Sequence, residues 1–406
     1  MNKTERVLIM SLLACTLHGC SAAQKSEEIK TVHTELIIAS DLHYLSDELT
    51  DHGEYFENMI RTADGKAMND CSKILDHFID QVIAEHPEAV AFTGDLTFNG
   101  EKLSHTYLAD AFRKIEDEGI EVLVIPGNHD IDYGGAACFE GDHYTLVENI
   151  TADEFRTIYR EYGYSDALSC DKASGSYVYQ LASGLRLLFI DVNMTENDTM
   201  TVPEETLQWM EKQLKEAEKY GYPVVSFSHQ NLMKHSIMES GYVIENAEDV
   251  KELLEKYNVP LHFSGHMHLQ HVLAEGSVTE CASGSLMISP YQYGCLEVDD
   301  NLYSYHTETV SLEGCLEETK DYFKLVSLRK TASQYGDSVT EDMLDYFAEL
   351  NTAYFGGNLS EVEIRPDITM KWKGIGGFMY SYILSMEAEA GKDYTSFEIQ
   401  KNGESQ

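Results

Sequence analysis

The sequence predicts an α/β sandwich with helices flanking its sheets, followed by a smaller C-terminal helical unit. Three observations carry that reading. Short apolar runs rich in Val, Ile and Leu recur between residues 35 and 315 without clean alternation, the pattern of strands buried on both faces. Amphipathic stretches with helical spacing separate them. At 406 residues and 43% apolar content, the chain is long enough for one large core and a second, smaller unit.

The strand runs, in order, are "ELIIAS", "AVAFTG", "IEVLVIPG", "LRLLFID", "PVVSFSH" and "PLHFSGH". Between them Ile74, Leu75, Phe78 and Val82 form one apolar stripe. Leu103, Tyr107, Leu108, Ala111 and Ile115 form a second, Leu207, Met210, Leu214 and Ala217 a third behind Pro203, and Val250, Leu253, Leu254 and Tyr257 a fourth. Such stripes are core faces. Residues 131–175 interrupt the alternation with "DYGGAACFEGDHY" and a helical "TADEFRTIYREYG", and an insertion beside a sheet edge often shapes access to a site. After Cys315 the pattern turns helical in "LEETKDYFKLVSLRK", "TEDMLDYFAELNTAYFGG" and "IGGFMYSYILSMEAEA". The expected division is a large domain over residues 35–315 and a helical domain over 316–406, with no internal repeat.

The first residues stand apart from this core. Lys3 and Arg6 precede "VLIMSLLACTL", an apolar run too short to span a bilayer as a mature helix. The following "LHGC" resembles a bacterial lipobox. Residues 1–19 are then a signal peptide, Cys20 is the lipid-bearing first residue of an exported, outward-facing protein held on the membrane, and residues 20–34 are a polar tether.

A formal charge of −41 repels polyanions, and no Lys/Arg run offsets it, which disfavours a nucleic-acid polymer as partner. Of eight cysteines, six lie beyond Cys15 and Cys20: Cys71, Cys138, Cys170, Cys281, Cys295 and Cys315. None has the close-paired spacing of a zinc site, and disulfide pairing is not readable from their positions.

The chemistry lies just past the apolar runs. "IIASDLH" ends in Asp41 and His43, "AFTGDLTFNGE" reaches Asp95, and "VIPGNHD" ends in Asn128, His129 and Asp130. "VSFSHQN" carries His229, and "FSGHMH" ends in His266 and His268. In open α/β sheets, sites form outside the carboxyl ends of strands, so these five clusters should converge. Two Asp, one Asn and four His, with no thiolate, suit two divalent ions such as Mn, Fe or Zn better than a structural zinc or a calcium cage. Asp41 and His43, like His266 and His268, stand two apart, so in extended backbone each pair shares a face. Gly94, Gly127 and Gly265 let the chain turn sharply beside the ions.

The series "DLH", "GDLTFNG", "GNHD", "SH" and "GHMH" resembles the calcineurin-like metallophosphoesterase superfamily, and "GDLTFNGE" is most similar to its bacterial class III cyclic-nucleotide phosphodiesterases, including exported Gram-positive members with a C-terminal helical domain. The resemblance implies a four-layer α/β/β/α sandwich. It places Asp41, His43 and His268 on one metal and Asn128, His229 and His266 on the other, with Asp95 bridging and a shared hydroxide as nucleophile. His129 would not be a ligand; it would hydrogen-bond the phosphate and help protonate the leaving oxygen, with Asp130 orienting its ring. This chain reads "SHQN" where many relatives carry a second His and a Pro, so Gln230 and Asn231 depart from the pattern. His235, His262 and His271 match no ligand position and read as structural or rim residues. Asn99 and Glu101 either support the site or cap the next helix.

The leading expectation is a two-metal phosphodiesterase acting on a small phosphodiester, a 3′,5′-cyclic nucleotide opened to its 5′-monophosphate. Export leaves an exported phosphomonoesterase or nucleotidase, or a phospholipid-type phosphodiesterase, as the alternative enzyme. A surface protein that keeps the fold only for binding is the non-catalytic reading.

Overall fold

Alternate residues of the buried strands face different layers, and this parity sets the architecture. The computed structural model describes residues 32–195, 199–238, 241–300, 302–312 and 321–400; the expected signal peptide, Cys20, most of the expected tether and Cys315 lie outside them. One sheet takes β1 (Thr34–Ala39), β2 (Ala89–Phe92), β3 (Glu121–Val124), β13 (Gln292–Val298), β14 (Leu302–Thr309) and β15 (Ser396–Gln400), in the order 15-14-13-1-2-3. The other takes β6 (Ser169–Cys170), β7 (Tyr177–Gln180), β8 (Arg186–Ile190), β9 (Val224–Ser228), β10 (Leu261–Ser264), β11 (His271–Glu275) and β12 (Val278–Ala282), in the order 11-12-10-9-8-7-6. A hairpin of β4 (Ala137–Glu140) and β5 (His143–Leu146) stands outside both.

Leu36 and Ile38 of β1 point between the sheets, where they meet Phe189, Phe227 and Phe263 of the opposite sheet. Their neighbours Ile37 and Ala39 point outward onto the helices α2 (Cys71–Glu85) and α3 (Lys102–Glu116). On the far side, Leu188 and Ile190 of β8 pack under α5 (Glu204–Tyr220) and α6 (Ala247–Lys256). The result is the expected four-layer α/β/β/α sandwich. β1, β2 and β3 are parallel, as are β8, β9, β10 and β12, so their carboxyl ends gather at one edge of the molecule.

Stacked rings pin the register that the site depends on. Phe189 pairs with Phe227 and Phe227 with Phe263 across β8, β9 and β10, with ring centroids 4.9 and 5.6 Å apart. Each such pair contributes about 0.5–1.5 kcal/mol beyond its area. The ladder fixes the level at which His229 and His266 leave the sheet.

Three expectations change. Tyr107 is not a core residue: it is 41% exposed, and its hydroxyl donates to Glu48, while Phe112 takes the buried position in α3. Sequence reading also omitted the antiparallel strands β13 and β14. The C-terminal segment contains α7 (Tyr322–Tyr335), α8 (Glu341–Phe355), α9 (Pro366–Ile375) and α10 (Gly377–Glu387), yet it ends in a strand, β15, which pairs antiparallel with β14. In "SFEIQ" the alternate Phe397 and Ile399 face the core between the sheets. This segment also shares a core with the last metal-site motif: Met267 and Leu269 are buried with Tyr346, Leu350, Trp372 and Ile383. Its helices pack directly behind "GHMH".

Two further elements complete the chain: α1 (Glu54–Thr62), and α4 (Ala152–Ile158), which is closed by a capping box of Thr151 and Glu154. Among the described residues no helix is long and apolar enough to cross a membrane. The five described cysteines are free thiols.

Candidate metal centre

The loops after β1 and β2 are zipped together by backbone bonds: Asp41 N–H donates to the Gly94 carbonyl at 3.1 Å and His43 N–H to the Asp95 carbonyl at 2.9 Å. The loops after β9 and β10 are joined likewise, Gly265 N–H donating to the His229 carbonyl at 2.9 Å. These ties draw residues from five strand ends into one cluster. Ligand atoms of Asp41, His43, Asp95 and His268 lie within 4.8 Å of one another, and so do those of Asp95, His229 and His266. Asn128 joins the second group, its Oδ1 lying 3.1 Å from His229 Nε2. Asp95 belongs to both, with Oδ2 3.6 Å from His43 Nε2 and Oδ1 3.3 Å from His229 Nε2. All seven residues expected as ligands therefore lie together in one cluster.

The pairs do not share a face through extended backbone. β1 stops at Ala39 and β10 at Ser264, and Asp41, His43, Asp95, His266 and His268 all have positive φ, between +41° and +69°. Left-handed backbone costs a side-chain-bearing residue about 1–2 kcal/mol, so strain is concentrated at the site and held by the packing around it. The three glycines differ in role. Gly94 does adopt φ +96°, whereas Gly127 and Gly265 are needed for close approach: a Cβ on Gly127 would stand 2.1 Å from Asp95 Oδ1, and one on Gly265 1.9 Å from Ser40 Oγ. Gly127→Ala is accordingly expected to displace Asp95 and weaken metal binding at least about tenfold, checked by metal titration of the purified variant.

Hydrogen bonds of the imidazoles test whether this donor set fits metal ions. His229 Nδ1–H donates to the Thr93 carbonyl at 2.8 Å, which turns Nε2 toward Asp95 and Asn128. His266 Nε2–H donates to the Gly241 carbonyl at 2.6 Å, leaving Nδ1 as its lone-pair atom. His43 and His268 face each other through Nε2 atoms 3.0 Å apart, both near carboxylate oxygens. Lone pairs converging on small gaps between carboxylates are what a divalent cation satisfies. Burial, reinforced by the Lys66 ammonium, pushes the pKa of His43 well below the ordinary histidine value, and burial with His229 pushes His266 down to about 4. Low pKa values favour the neutral, ligating form of these two rings, whereas at His229 burial is outweighed by Asp95 and the pKa rises to about 9. Burial opposes ionisation of Asp95, but the His229 and His43 imidazoles hold its carboxyl well below the usual range.

His129 lies beside this cluster, its ring 5.1 Å from that of His43. Its Nδ1 lies 3.0 Å from the Phe98 carbonyl and 3.1 Å from Asn99 Oδ1, and its backbone N–H donates to Asp95 Oδ1 at 2.9 Å. Orientation of the ring, expected of Asp130, thus falls to Phe98 and Asn99. The Asp130 carboxylate instead accepts from Leu96 N at 3.0 Å, Thr97 N and Thr97 Oγ1 at 2.9 Å, and Gly127 N at 2.8 Å. It clamps the loop that carries Asp95 to the loop that carries Asn128. Asn99 resolves toward the site. Helix α3 has Glu101 at its N-cap with no side-chain cap bond, so neither residue caps it through its side chain.

Glu101 is fully buried, with Oε2 accepting from Asn99 N at 3.0 Å and Oε1 unpartnered. Burial raises its pKa from 4.5 to about 7. The folded state therefore keeps a proton that the unfolded state loses, and stability is expected to fall as pH rises from 4.5 to 7, by about 3 kcal/mol in all. Melting temperatures of the wild type and Glu101→Gln across this window check it, with the slope smaller in the variant.

His262, His235, His271 and His105 are scaffold. His262 is buried between Ser226 Oγ and Ser228 Oγ, each 2.9 Å from a ring nitrogen. His235 meets Glu280 at 3.1 Å and His271 at 3.1 Å. His105, which sequence reading passed over, lies 3.1 Å from Thr97 Oγ1 and so steadies the same loop.

A hollow of about 460 Å³ opens beside Asn128. Gln230, a departure from the family pattern, forms its wall in a reciprocal amide pair with Asn193, donating at 2.7 Å and accepting at 3.3 Å. The 131–175 insertion supplies Tyr133, whose ring stacks on His129 at 4.8 Å.

No curated protein matches the chain. Among solved structures it is similar to a dimetal phosphatase from Danio rerio, at 13% identity and a TM-score of 0.50, over 69% of this chain and 100% of that one. It also resembles TT1561 of Thermus thermophilus, at 14% identity and a TM-score of 0.37, over 69% of this chain and 100% of that one. The family model described as calcineurin-like phosphoesterase matches residues 35–270, more than half of the sequence and the stretch that holds every motif. The chain belongs to the calcineurin-like phosphoesterase family.

Proposed function

We propose that this metallophosphoesterase hydrolyses a small phosphodiester, with a 3′,5′-cyclic nucleotide opened to its 5′-monophosphate as the favoured substrate. The observation that carries the phosphoester reading is the pair of His/Asp clusters sharing Asp95. Asp41, His43 and His268 would hold one divalent ion and Asn128, His229 and His266 the other. When bound, the ions supply Lewis acidity toward the phosphoryl oxygens and a water activated at neutral pH. The chain's own residues supply placement. Nδ1 of His129 is engaged by Phe98 and Asn99, so Nε2 is the atom through which a proton passes to the leaving oxygen.

Support for a diester of nucleotide size is the hollow beside Asn128, at 460 Å³ within the range of small-molecule sites. Its Asn193–Gln230 amides and the Tyr133 ring offer hydrogen bonding and a stacking face to a base or sugar. The "GDLTFNGE" resemblance favours the cyclic nucleotide. A phosphomonoester, a nucleotide or a phospholipid head group is the competing substrate, and it gains weight from the proposed export and lipid on Cys20.

The Mn²⁺-loaded protein should be assayed on cyclic AMP, cyclic GMP, bis(p-nitrophenyl) phosphate and p-nitrophenyl phosphate. Opening of the cyclic nucleotides to 5′-monophosphates, and hydrolysis of bis(p-nitrophenyl) phosphate to p-nitrophenyl phosphate and p-nitrophenol, is the expected result. Turnover of the monoester alone would sink the diesterase reading.

A further inference from the structure

Lys66 is an unusual residue for its position. In a chain with 29 basic and 70 acidic side chains, it is only 7% exposed, and lysines are rarely buried without a reason. Its ammonium has three donors, and the ion pair it makes is with Asp64 Oδ2 at 3.0 Å. The Asp64 side chain is 44% exposed, so solvent screens the pair and it contributes little net stability.

Its surroundings point to the metal centre. Asp64 Oδ2 stands 3.9 Å from His268 Nδ1, at one end of a row of rings in which His268, His43 and His129 follow one another at centroid distances of 5.0 and 5.1 Å. At the other end, Lys66 Nζ lies 5.9 Å from the ring of Phe98, the residue whose carbonyl faces His129 Nδ1. The ammonium thus stands beside the row between its two ends.

The turn that presents Lys66 is built for the purpose. Gly65 has φ +94°, and a Cβ there would stand 2.6 Å from the ring of Phe323 in α7. Ala67 N–H donates to the Met287 carbonyl at 2.8 Å. Phe323 is buried and packs on Phe355 at 4.9 Å, so helices α7 and α8 hold the turn in place from behind. The turn that carries the ammonium is therefore seated by the C-terminal segment.

We propose that Lys66 anchors the substrate's anion: seated by the Asp64–Lys66 turn beside the His268–His43–His129 row, its ammonium binds a phosphoryl oxygen that the metal ions leave free. This deepens the phosphoester reading and rests on it. The ligand class is a phosphoester or the inorganic phosphate released from one. A compact ammonium suits a point contact with one oxygen, and it gains strength where water is excluded. Lys66 is a positioning and charge-stabilising group, and Asp64 sets where the ammonium rests between turnovers.

Calorimetric titration of the Mn²⁺-loaded full chain with inorganic phosphate tests this, alongside kcat/KM on the best phosphoester substrate. Lys66→Met keeps the apolar stem and is expected to weaken phosphate binding about 10- to 100-fold and lower kcat/KM similarly, with metal content unchanged. Lys66→Arg is expected to stay within about threefold of wild type, because it keeps the charge. Asp64→Asn, which keeps the Lys66 charge and removes the carboxylate that competes with phosphate for it, is expected to bind phosphate at least as tightly as wild type. Phosphate binding by Lys66→Met equal to wild type, an Arg variant as impaired as Met, or weakened binding in Asp64→Asn would each overturn the proposal. Lys66-dependent phosphate binding without turnover of any phosphoester would leave the anchor standing and remove the hydrolase reading.

Discussion

Asp95→Asn is expected to lower kcat/KM on any phosphoester by at least about a thousandfold and to reduce bound metal in parallel. The change is nearly isosteric, so the fold should survive it, but it removes one charge and one acceptor oxygen from the residue that both clusters share. Oδ2 faces His43 Nε2 at 3.6 Å, and Oδ1 faces His229 Nε2 at 3.3 Å while accepting the His129 N–H at 2.9 Å. An amide nitrogen at either position points hydrogens at an imidazole or at an ion, and the second position also loses its acceptor. Metal content by mass spectrometry and hydrolysis of the same preparation give the two readouts. Loss of both together is the enzyme result. Wild-type metal content with activity retained would show that Asp95 bridges nothing, and a protein that keeps the fold only to bind a partner would be indifferent to the change.

Asp130→Ala should have the largest effect on stability. Three backbone N–H groups and the Thr97 hydroxyl donate to this one buried carboxylate at 2.8 to 3.0 Å. Each buried donor left without an acceptor costs about 1–3 kcal/mol, and partial rehydration recovers some of it, so a loss of about 3–5 kcal/mol is expected in denaturant unfolding. Activity should fall further than stability alone accounts for. The freed segment begins at Leu96, next to Asp95, and at Gly127, next to Asn128, so one substitution loosens residues from both clusters. A loss below about 1 kcal/mol would mean that His105 and the Thr97 turn carry the clamp without Asp130.

The two effects show what a sequence conveys and what it does not. Buried parallel strands leave a local trace, an apolar run that ends at a polar cluster, so β1, β2, β3, β9 and β10 and the residues just past them could be read directly. Chemistry is similarly local: the donors Asp41, His43, Asp95, Asn128, His229, His266 and His268 each stand just past an apolar run, and they lie together.

Pairings between distant segments leave no such trace. Strand β15 is a five-residue alternation whose partner, β14, lies about ninety positions earlier, and nothing local distinguishes it from a loop. The C-terminal helices were legible as helices, whereas their attachment to Met267 and Leu269 was not, because those residues read as fillers in a metal motif. Asp130 shows the same limit at the scale of one side chain. Its place in "GNHD" marks it as functional, but which donors reach its carboxylate depends on how two loops cross. Lys66 carried only a faint signal, a lysine beside glycine in a chain poor in cations. Its burial and its nearness to the histidine row are products of folding.

Whether the Asp41–His268 and Asn128–His266 groups form one two-metal site for phosphoester hydrolysis is open to direct measurement. Titrating metal-free full-length protein with Mn²⁺, while following bound metal and bis(p-nitrophenyl) phosphate hydrolysis in the same samples, tests it most directly. Activity should be absent without metal, rise with occupancy up to two equivalents per chain, vanish on chelation and be missing from Asp95→Asn at every metal concentration. Saturation at a single equivalent, or turnover that persists after the metal is stripped, would contradict it.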